Sequence, residues 1–533
     1  RELCTGLLRE MGELGLLGVD APEAYGGQAL DKIVTAIVAE SLATGYSASF
    51  VTVFSVQTGI GQLPLVWFGS EAQKERYLPK LVSGEWIAAY ALTEPSAGSD
   101  ALSGKTRAVR TEDGSAYLLN GEKQFITNAG WADLFTVFAQ VDGERFSAFL
   151  VERDSPGLTV GPEEKKMGVK GSSTCPVSFA DVRVPAENLL YEEGKGARIA
   201  FNALNLGRFK LAASDLGGAK GVIEEAVRYA RDRRQFGRPI CRFDAIRGKI
   251  ADMAVRIYAA DSLIYRTIGL IQEAIDRLDP AAPDYYVQMG EAMETFAIEA
   301  SMAKVYGSET LGLVADHGVQ ILGGYGFIEE FPMAGPYRDT RIDRIWEGTN
   351  EINRQIVAGY TMRNALLEAL PVREAIAAID AHLEGEPPAA GRLGREVAMV
   401  EAGKRLALML LHEALCAYGQ DLRHEQQLTE ILADMLLEIY SAESTLARVA
   451  QLDGEGEAEA MAERIARVRA AEASIRLMNL GLTGLNGVFR GRLPERVVDR
   501  LRRFQRRMLP HADILGLKRA IADHVVAAAT YPF

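Results

Sequence analysis

The stretch that decides the fold is AYLLNGEKQFITN, residues 116–128. Two apolar runs flank Asn120-Gly121, and an Asn-Gly pair between such runs is the strongest short-range indication of a β-hairpin. Further strands are predicted at 134–141, 146–152 and 175–185, with turn residues between them. We therefore expect residues 86–196 to form a β domain.

Helical periodicity surrounds this β domain. Leucines and methionines recur at helical spacing in residues 1–85, where one helix is predicted from Asp31 to about Ala43. After the β domain, isoleucines from Ile250 to Ile275 outline one long amphipathic helix. Another helix is predicted from about Tyr285 to Leu322, with Gly323-Gly324 as its C-cap, and residues 384–394 form a linker to a further helical block. Strands do not alternate with helices and no GxGxxG follows a strand, which excludes a Rossmann domain.

Composition narrows the class of protein. The chain has 533 residues and a formal net charge of −13, which disfavours bulk attraction to nucleic acid. Its cysteines are widely spaced, without CxxC pairs or histidines at metal-ligand spacing, so neither a disulfide framework nor a metal site is predicted. The sequence begins at Arg1 inside a predicted helix, so we expect a trimmed N-terminus, and whether a targeting segment preceded it is left open.

Five segments, one of which overlaps the stretch quoted first, carry a resemblance to a known family. They are YALTEPSAGSD (90–100), NGEKQFITNAG (120–130), RRQFGRPI (233–240), QILGGYGF (320–327) and RIWEGTNEI (344–352). In this order and spacing, the chain resembles the acyl-CoA dehydrogenase family along residues 1–361. The resemblance implies FAD as cofactor, acyl-CoA as substrate and trans-2-enoyl-CoA as product in fatty-acid β-oxidation, with electrons passing to an electron-transfer flavoprotein.

The resemblance also implies an α+β, mainly α fold with four domains. These are an N-terminal helical domain (1–85), a middle β-barrel-like domain (86–196), a four-helix bundle (197–361) and an extra helical C-terminal domain (362–533).

The segment TEPSAGSD suits the close approach of a bulky ligand. Its small residues let the backbone come near, and Thr93 and Ser99 offer hydroxyl groups, although an ordinary Pro/Gly turn has the same composition. By resemblance, Tyr90, Leu92 and Thr93 line the flavin, while Ser99 lies near the ligand phosphates and the substrate.

In the strand that ends with QFITN, Phe125 and Thr127 point to the same face. By resemblance, Phe125 packs on the isoalloxazine, Ile126 adjoins it and Thr127 bonds near N5. The family more often has Trp where this chain has Phe125. The alternative is a core aromatic beside a surface threonine.

Other FAD contacts follow from the remaining motifs. The planar guanidinium of arginine suits a pyrophosphate, although a run of basic residues more often forms a solvated face. The resemblance implies FAD contacts, partly from a neighbouring subunit, by Arg233, Gln235, Phe236, Gln320, Gly324, Thr349 and Glu351.

Glu347 is the predicted catalytic base. Abstraction of an α-proton from a thioester needs a carboxylate whose pKa burial has raised, since an exposed Glu is too weak a base. By resemblance, the Glu347 backbone N–H and a flavin hydroxyl hold the thioester oxygen, Gly348 lets the backbone approach the substrate, and Asn205 and Arg208 of NLGRF (205–209) contact its CoA end. The alternative is a surface carboxylate paired with Arg344.

The C-terminal block resembles one branch of the family. Residues 424–450 and the ending ATYPF (529–533) are similar to the extension of very-long-chain acyl-CoA dehydrogenases. This implies a homodimer and long-chain substrates. Acyl length is expected to depend on 50–60, where Thr52, Val53 and Val56 are small, but the sequence does not fix it.

Residues 490–507 predict a basic amphipathic helix. Its arginines lie on one face and its apolar residues on another, which suits contact with an anionic membrane surface, and equally suits a solvated face on a packed helix.

Two other functions remain open on the same fold: a non-catalytic assembly or binding factor, and an acyl-CoA oxidase. Frequent Arg, Ala, Gly and Leu with few Lys favour a bacterial cytoplasm over a mitochondrion.

Overall fold

The computed structural model describes residues 2–45, 47–385, 391–452, 454 and 456–533. The predicted fold class is confirmed: helices precede and follow a β-rich middle section, and further helices form a C-terminal extension. By contacts the chain divides into two compact units. The first comprises Arg1–Gly218, Thr267–Ala300 and Arg338–Thr349, and the second comprises Ala219–Arg266, Ser301–Tyr337 and Asn350–Phe533. The four-domain division stays a prediction.

The first unit opens with helices α1 (Glu2–Glu13), α2 (Lys32–Ala43), α3 (Ala48–Thr58), α4 (Leu63–Phe68) and α5 (Glu71–Val82). The predicted start of α2 is confirmed, because the Asp31 side chain accepts a hydrogen bond from the Val34 N–H at 2.7 Å and so caps the helix. Among the described residues, Ala48–Phe68 is long and apolar enough to span a membrane; it is divided between α3 and α4 and mostly buried in the protein.

The middle of the first unit is an eight-stranded sheet. Its strands are β1 (Ala88–Ala91), β2 (Arg107–Arg110), β3 (Ala116–Thr127), β4 (Leu134–Val141), β5 (Arg145–Glu152), β6 (Leu158–Val160), β7 (Thr174–Pro185) and β8 (Leu189–Leu190). Seven strands follow the order β6-β7-β3-β2-β4-β5-β8, and β1 pairs with β4. Inward-facing residues such as Phe135, Phe149 and Val177 form its apolar core.

The predicted hairpin at Asn120-Gly121 is wrong. Strand β3 continues through both residues, and the register with β7 shifts between Leu119 and Gly121, which is a bulge. The Asn120 side chain forms two hydrogen bonds with Asp181 of β7: its oxygen accepts from the Asp181 backbone N–H, and its NH2 group donates to the Asp181 carboxylate, each at 2.9 Å. Pairing with a distant strand therefore replaces the local turn.

Long helices follow the sheet. They are α6 (Gly196–Asp232), α7 (Asp244–Ile275), α8 (Tyr285–Glu294), α9 (Ala297–Leu322), α10 (Gly324–Phe327), α11 (Ala334–Asp339) and α12 (Asn350–Leu366), with a short hairpin of β9 (Arg234–Gln235) and β10 (Arg238–Pro239) after α6. The predicted isoleucine helix is confirmed as α7. The single helix predicted over 285–322 is wrong, because the chain leaves the helical path at Thr295 and Phe296 and forms α8 and α9.

The extension belongs to the second unit. Its helices are α13 (Val372–Ala377), α14 (Ile379–Glu384), α15 (Gly394–Tyr418), α16 (Gln426–Ala450), α17 (Glu457–Val488), α18 (Glu495–Met508) and α19 (Ile514–Ala528). Residues 386–390 of the predicted linker 384–394 lie outside the described residues. Helix α16 packs on α12 through a partly buried ion-pair chain: Arg354 donates to Asp434 of α16 and to Glu309 of α9, each at 2.7 Å.

Helix α18 packs against its own unit through both of the faces predicted from the sequence. Its apolar residues Val497, Leu501 and Phe504 are buried. On the basic face, Arg496 is paired with Glu413, and Arg500 donates to Asp380 at 2.6 and 3.0 Å. Carboxylates of the same unit therefore neutralise part of the positive charge of this helix.

Candidate active site

Glu347 lies in a tight turn of the first unit. A 3-10 helix, Thr340–Arg344, leads into it, and α12 begins shortly after it. Both Glu347 and Gly348 have left-handed backbones, with φ of 55° and 79°. A left-handed conformation is uncommon for a residue with a side chain and is concentrated at functional sites.

Gly207 of α6 faces the Glu347 carboxylate. A Cβ atom on Gly207 would lie 2.5 Å from Oε2 and 2.7 Å from Cδ of Glu347. Real Cβ atoms do not approach other atoms this closely, so only glycine leaves room for the carboxylate here. The carboxylate is thus packed directly against helix α6.

Arg208 holds the backbone of the same turn. Its Nε donates to the Glu347 carbonyl oxygen at 3.3 Å, and its Nη1 donates to Asn205 Oδ1 at 2.8 Å. Arg208 and Asn205 are both buried. The three residues predicted from RIWEGTNEI and NLGRF therefore meet, with Asn205 orienting Arg208 and Arg208 bonded to the turn.

Tyr90 of β1 completes the polar groups near Glu347. Its ring packs edge-on against Phe138 at 5.0 Å, and its hydroxyl donates to the Ala200 carbonyl at 3.5 Å. Burial, and secondarily the charge of Glu347, raises the pKa of Tyr90 well above its usual range. Tyr90 is therefore a neutral side chain throughout the physiological range.

Phe125 and Thr127 form an accessible edge of the sheet. The register of β3 shifts between Lys123 and Ile126, and Phe125 has a φ of 59°. This bulge leaves Phe125 63% exposed, while Ile126 is buried and Thr127 is half-buried. These two side chains fit a flavin: the exposed aromatic ring can pack against the flavin ring, and the hydroxyl can form a hydrogen bond with it.

The loop after β1 lies beside this edge. Leu92 is buried, Thr93 is half-buried and Ser99 is exposed. The Gln124 N–H donates to the Thr93 carbonyl at 2.9 Å, which ties the loop to β3 next to Phe125. The structure therefore brings the two predicted flavin-contacting segments of the first unit together.

The remaining predicted cofactor residues belong to the second unit, apart from Thr349, which ends the first. Phe236 and Gly237 form the two-residue turn of the β9–β10 hairpin with φ of 50° and 80°, as a type I′ turn requires. Phe236 is 93% exposed. Four other residues of this group are also exposed: Arg233, Gln235, Gln320 and Glu351. Gly324 begins α10 with open space around its Cα.

Sequence reasoning missed three residues: Gly207, Lys123 and Glu94. Gly207 stands in the middle of a helix, where glycine costs about 1 kcal/mol relative to alanine, and that cost was an available indication of a special role. Lys123 and Glu94 form a buried ion pair behind the predicted flavin-contacting segments.

Comparison with known proteins gives a consistent result. Family models described as the acyl-CoA dehydrogenase N-terminal, middle and C-terminal domains match residues 1–85, 89–182 and 194–361. A further model, also described as an acyl-CoA dehydrogenase C-terminal domain, matches residues 402–492 in the extension.

Individual relatives extend the likeness to most of the chain. A probable acyl-CoA dehydrogenase of Bacillus subtilis is 47% identical over 462 residues, covering 86% of this chain and 77% of the relative. The mitochondrial very-long-chain specific acyl-CoA dehydrogenase of Bos taurus is 36% identical, covering 85% and 71%. A crystal structure of an acyl-CoA dehydrogenase complexed with FAD from Bacillus anthracis has a TM-score of 0.95 at 41% identity, covering 99% of this chain and 90% of that one.

Proposed function

The chain belongs to the acyl-CoA dehydrogenase family. We propose that it carries out the FAD-dependent oxidation of acyl-CoA with Glu347 as the base and long-chain thioesters as the substrates. The observation that carries the proposal is the close packing of the Glu347 carboxylate on Gly207, with Arg208 bonded to the Glu347 carbonyl.

The proposed chemistry removes one proton and one hydride from the acyl chain. FAD, when bound, would supply the acceptor for the hydride from the β-carbon. The Glu347 carboxylate takes the proton from the α-carbon, and the remaining electron pair becomes the double bond of the trans-2-enoyl product. Fixing the carboxylate before the substrate binds contributes to the rate, because a base that is already oriented loses little entropy in the transition state.

The backbone of Glu347 would hold the substrate carbonyl. A negative charge develops on the thioester oxygen as the α-proton leaves, and a backbone N–H aimed at that oxygen stabilises it. The left-handed turn at Glu347 and Gly348, held by Arg208, orients this N–H in our proposal. Asn205 and Arg208 would also contact the CoA portion of the substrate.

FAD would be bound by groups of different kinds. Phe125 offers an exposed ring and Thr127 a hydroxyl for the isoalloxazine, with Tyr90, Leu92 and Thr93 beside them. Ser99 would contact phosphate or substrate. Exposed residues of the second unit would also contact FAD, partly the FAD of a neighbouring subunit, with the Arg233 guanidinium suited to a pyrophosphate. They are Arg233, Gln235, Phe236, Gln320, Gly324 and Glu351, and Thr349 lies next to them in sequence.

Substrate length and the place of the reaction in metabolism are parts of the proposal. The match of the extension and the likeness to a relative named as very-long-chain specific support long-chain substrates. A role in β-oxidation, transfer of electrons to an electron-transfer flavoprotein, and a homodimer are further parts of the proposal. Thr52, Val53 and Val56 of α3 are buried, and we propose that they limit the length of the cavity that holds the acyl chain. The likeness to Bacillus proteins supports a bacterial cytoplasm rather than a mitochondrion.

Membrane contact through 490–507 stays a prediction. Since Arg496 and Arg500 are paired with carboxylates and the apolar face is buried, contact would depend on the exposed Arg490, Arg492, Arg502 and Arg506. Replacing Arg502 and Arg506 by Gln should reduce sedimentation with anionic vesicles, and unchanged sedimentation would favour a solvated face on a packed helix.

The experiment that tests the function is anaerobic titration with butanoyl-CoA and palmitoyl-CoA. The purified protein should be yellow and should bleach faster with palmitoyl-CoA. Faster bleaching with butanoyl-CoA would reject the long-chain proposal. Rapid formation of peroxide in air would indicate an acyl-CoA oxidase, and a colourless protein that cannot be reconstituted with FAD would indicate a binding or assembly factor.

A further inference from the structure

Lys123 and Glu94 form a buried ion pair that the proposed mechanism does not use. Lys123 Nζ lies 2.7 Å from Glu94 Oε1, and the two side chains are only 1% and 4% exposed. Desolvating two charges is costly unless each also finds further hydrogen-bond partners. The identity of those partners indicates what the pair does.

Glu94 binds the C-terminal end of the loop that contains Thr93 and Ser99. Its carboxylate accepts from the Lys105 N–H at 2.5 Å and from the Thr106 N–H at 3.1 Å. Its backbone is paired with Ala97 at 3.0 and 3.1 Å, which closes the turn between them. The Glu94 side chain therefore fastens the far end of the loop to its start, and the Glu94 backbone closes the turn within it.

Lys123 fastens the same loop to β3. Besides the Glu94 carboxylate, its ammonium donates to the Leu92 carbonyl at 3.1 Å, and the next residue, Gln124, donates its N–H to the Thr93 carbonyl at 2.9 Å. Immediately afterwards β3 bulges and Phe125 takes its left-handed conformation. The ion pair thus lies where the two candidate flavin-contacting segments join.

The charges of Lys123 and Glu94 strengthen the hydrogen bonds that hold the loop to β3. Burial lowers the pKa of Lys123, against the opposing effect of Glu94. Burial raises the pKa of Glu94, but the hydrogen bond and charge of Lys123, with the backbone donors, outweigh it and hold this pKa below its ordinary value. An ionised Glu94 binds the backbone N–H groups more strongly than a neutral one, since charge-assisted hydrogen bonds are roughly twice as strong as neutral ones.

We propose that Lys123 and Glu94 are positioning residues that fix the spacing between Leu92–Thr93 and Phe125–Thr127, and thereby the geometry of the flavin ring in its site. The inference rests on the proposed assignment of these segments to FAD. Neither residue needs to touch the cofactor, because each acts through the backbone of a residue that does.

The test compares two buried lysines of the first unit. Lys123→Met removes the pair behind the flavin segments. Lys32→Met is the matched control, because Lys32 pairs with Asp20 between side chains that are only 4% and 2% exposed, and both residues belong to the N-terminal helical section. For each variant we would measure Tm, the Kd for FAD of the reconstituted apoprotein, and the visible absorption spectrum of bound FAD.

Both variants should have a lower Tm than the wild type, since each leaves a buried carboxylate without its lysine. Only Lys123→Met should raise the Kd for FAD, by at least about tenfold, and shift the flavin absorption bands. A wild-type Kd and spectrum in Lys123→Met, or equal changes in Lys32→Met, would overturn the proposal.

Glu94→Gln decides the matter if Lys123→Met does not fold. Its amide keeps an oxygen for the backbone donors but lacks the charge, so a smaller rise in Kd and a shifted spectrum are expected. An unchanged Kd and spectrum would overturn the proposal. Failure of the base assignment is distinguishable, because a Glu347→Gln variant that still oxidises substrate would leave these FAD measurements unaffected.

Discussion

Gly207 and Glu347 pack so closely that no side chain fits between them: a Cβ on Gly207 would lie 2.5 Å from the Glu347 carboxylate oxygen Oε2. Helix α6 therefore presents bare backbone to the proposed base. A rigid surface of this kind limits the positions open to the carboxylate, and positional accuracy is what proton abstraction from a weak carbon acid requires.

Gly207→Ala should make the protein more stable and less active. Alanine is favoured over glycine inside a helix by about 1 kcal/mol, but its Cβ would displace the Glu347 carboxylate. A displacement of about 1 Å costs on the order of 100-fold in rate. Stopped-flow bleaching by palmitoyl-CoA measures the rate, and thermal unfolding measures the stability.

Gly269→Ala is the control for that prediction. Gly269 lies inside α7 with open space around its Cα, so alanine should add helix stability without slowing the bleaching. Full activity in Gly207→Ala would mean that the position of the carboxylate is not limited by α6.

In enzyme saturated with FAD, Arg208→Lys should lower kcat by a larger factor than it raises the KM for acyl-CoA. Lysine retains the charge, but its single nitrogen cannot replace Nε and Nη1 of Arg208, which bind the Glu347 carbonyl and Asn205 at the same time. We expect a loss of about tenfold to 100-fold in kcat, measured with an artificial electron acceptor. A change confined to KM would assign Arg208 to CoA binding alone.

Phe125→Ala should weaken FAD binding with little effect on folding. Because Phe125 is 63% exposed, its removal leaves the apolar core intact, whereas a flavin ring would lose an aromatic contact worth about 1 kcal/mol. Val109→Ala, at a similarly exposed position on β2, should leave the Kd for FAD unchanged. Equal affinities in Phe125→Ala and the wild type would remove Phe125 from the flavin site.

Arg354→Met should destabilise the second unit. It removes the shared partner of Glu309 and Asp434, and among the described residues only Asp434 keeps another ion pair, with Arg476 at 3.4 Å. Because both carboxylates are partly exposed, the loss should lie between about 1 kcal/mol, typical of a surface pair, and about 3 kcal/mol, typical of a buried one. Arg373→Met, which breaks the exposed pair with Glu368, should change the free energy of unfolding by less than about 1 kcal/mol. Urea unfolding measures both, and equal effects would show that the connection between α12 and α16 adds no stability.

Arg496→Gln should have an effect that depends on pH. The hydrogen bond from Arg496 holds the pKa of Glu413 below its ordinary value of 4.5. A carboxylate with a depressed pKa stabilises the fold above its unfolded pKa, and this contribution is lost as pH falls through the folded pKa. The Tm difference between wild type and variant should therefore be largest near neutral pH and shrink below about pH 4.5. A difference that stays constant with pH would contradict this.

Much of the fold and of the proposed site was predictable from the sequence. The strands over 134–141, 146–152 and 175–185 follow from local patterns, and so does α7. Glu347, Asn205 and Arg208 come from motifs far apart in the chain, yet they meet in the structure.

What was missed depends on contacts between distant residues. Asn120-Gly121 has the composition of a turn but forms a bulge, because Asp181 binds Asn120 from the neighbouring strand. The Gly207–Glu347 packing leaves no periodic pattern in the sequence. The arginines of α18 suggested a basic face without partners, whereas Glu413 and Asp380, which pair with three of them, lie many residues away.

The most direct test of the account is the anaerobic reaction of Glu347→Gln with palmitoyl-CoA. The glutamine keeps the size and backbone of Glu347 but cannot accept the α-proton. We predict that the variant retains bound FAD and binds palmitoyl-CoA with a Kd close to that of the wild type, while its flavin stays yellow. Bleaching of the variant flavin at a rate near that of the wild type would contradict the assignment of Glu347 as the base.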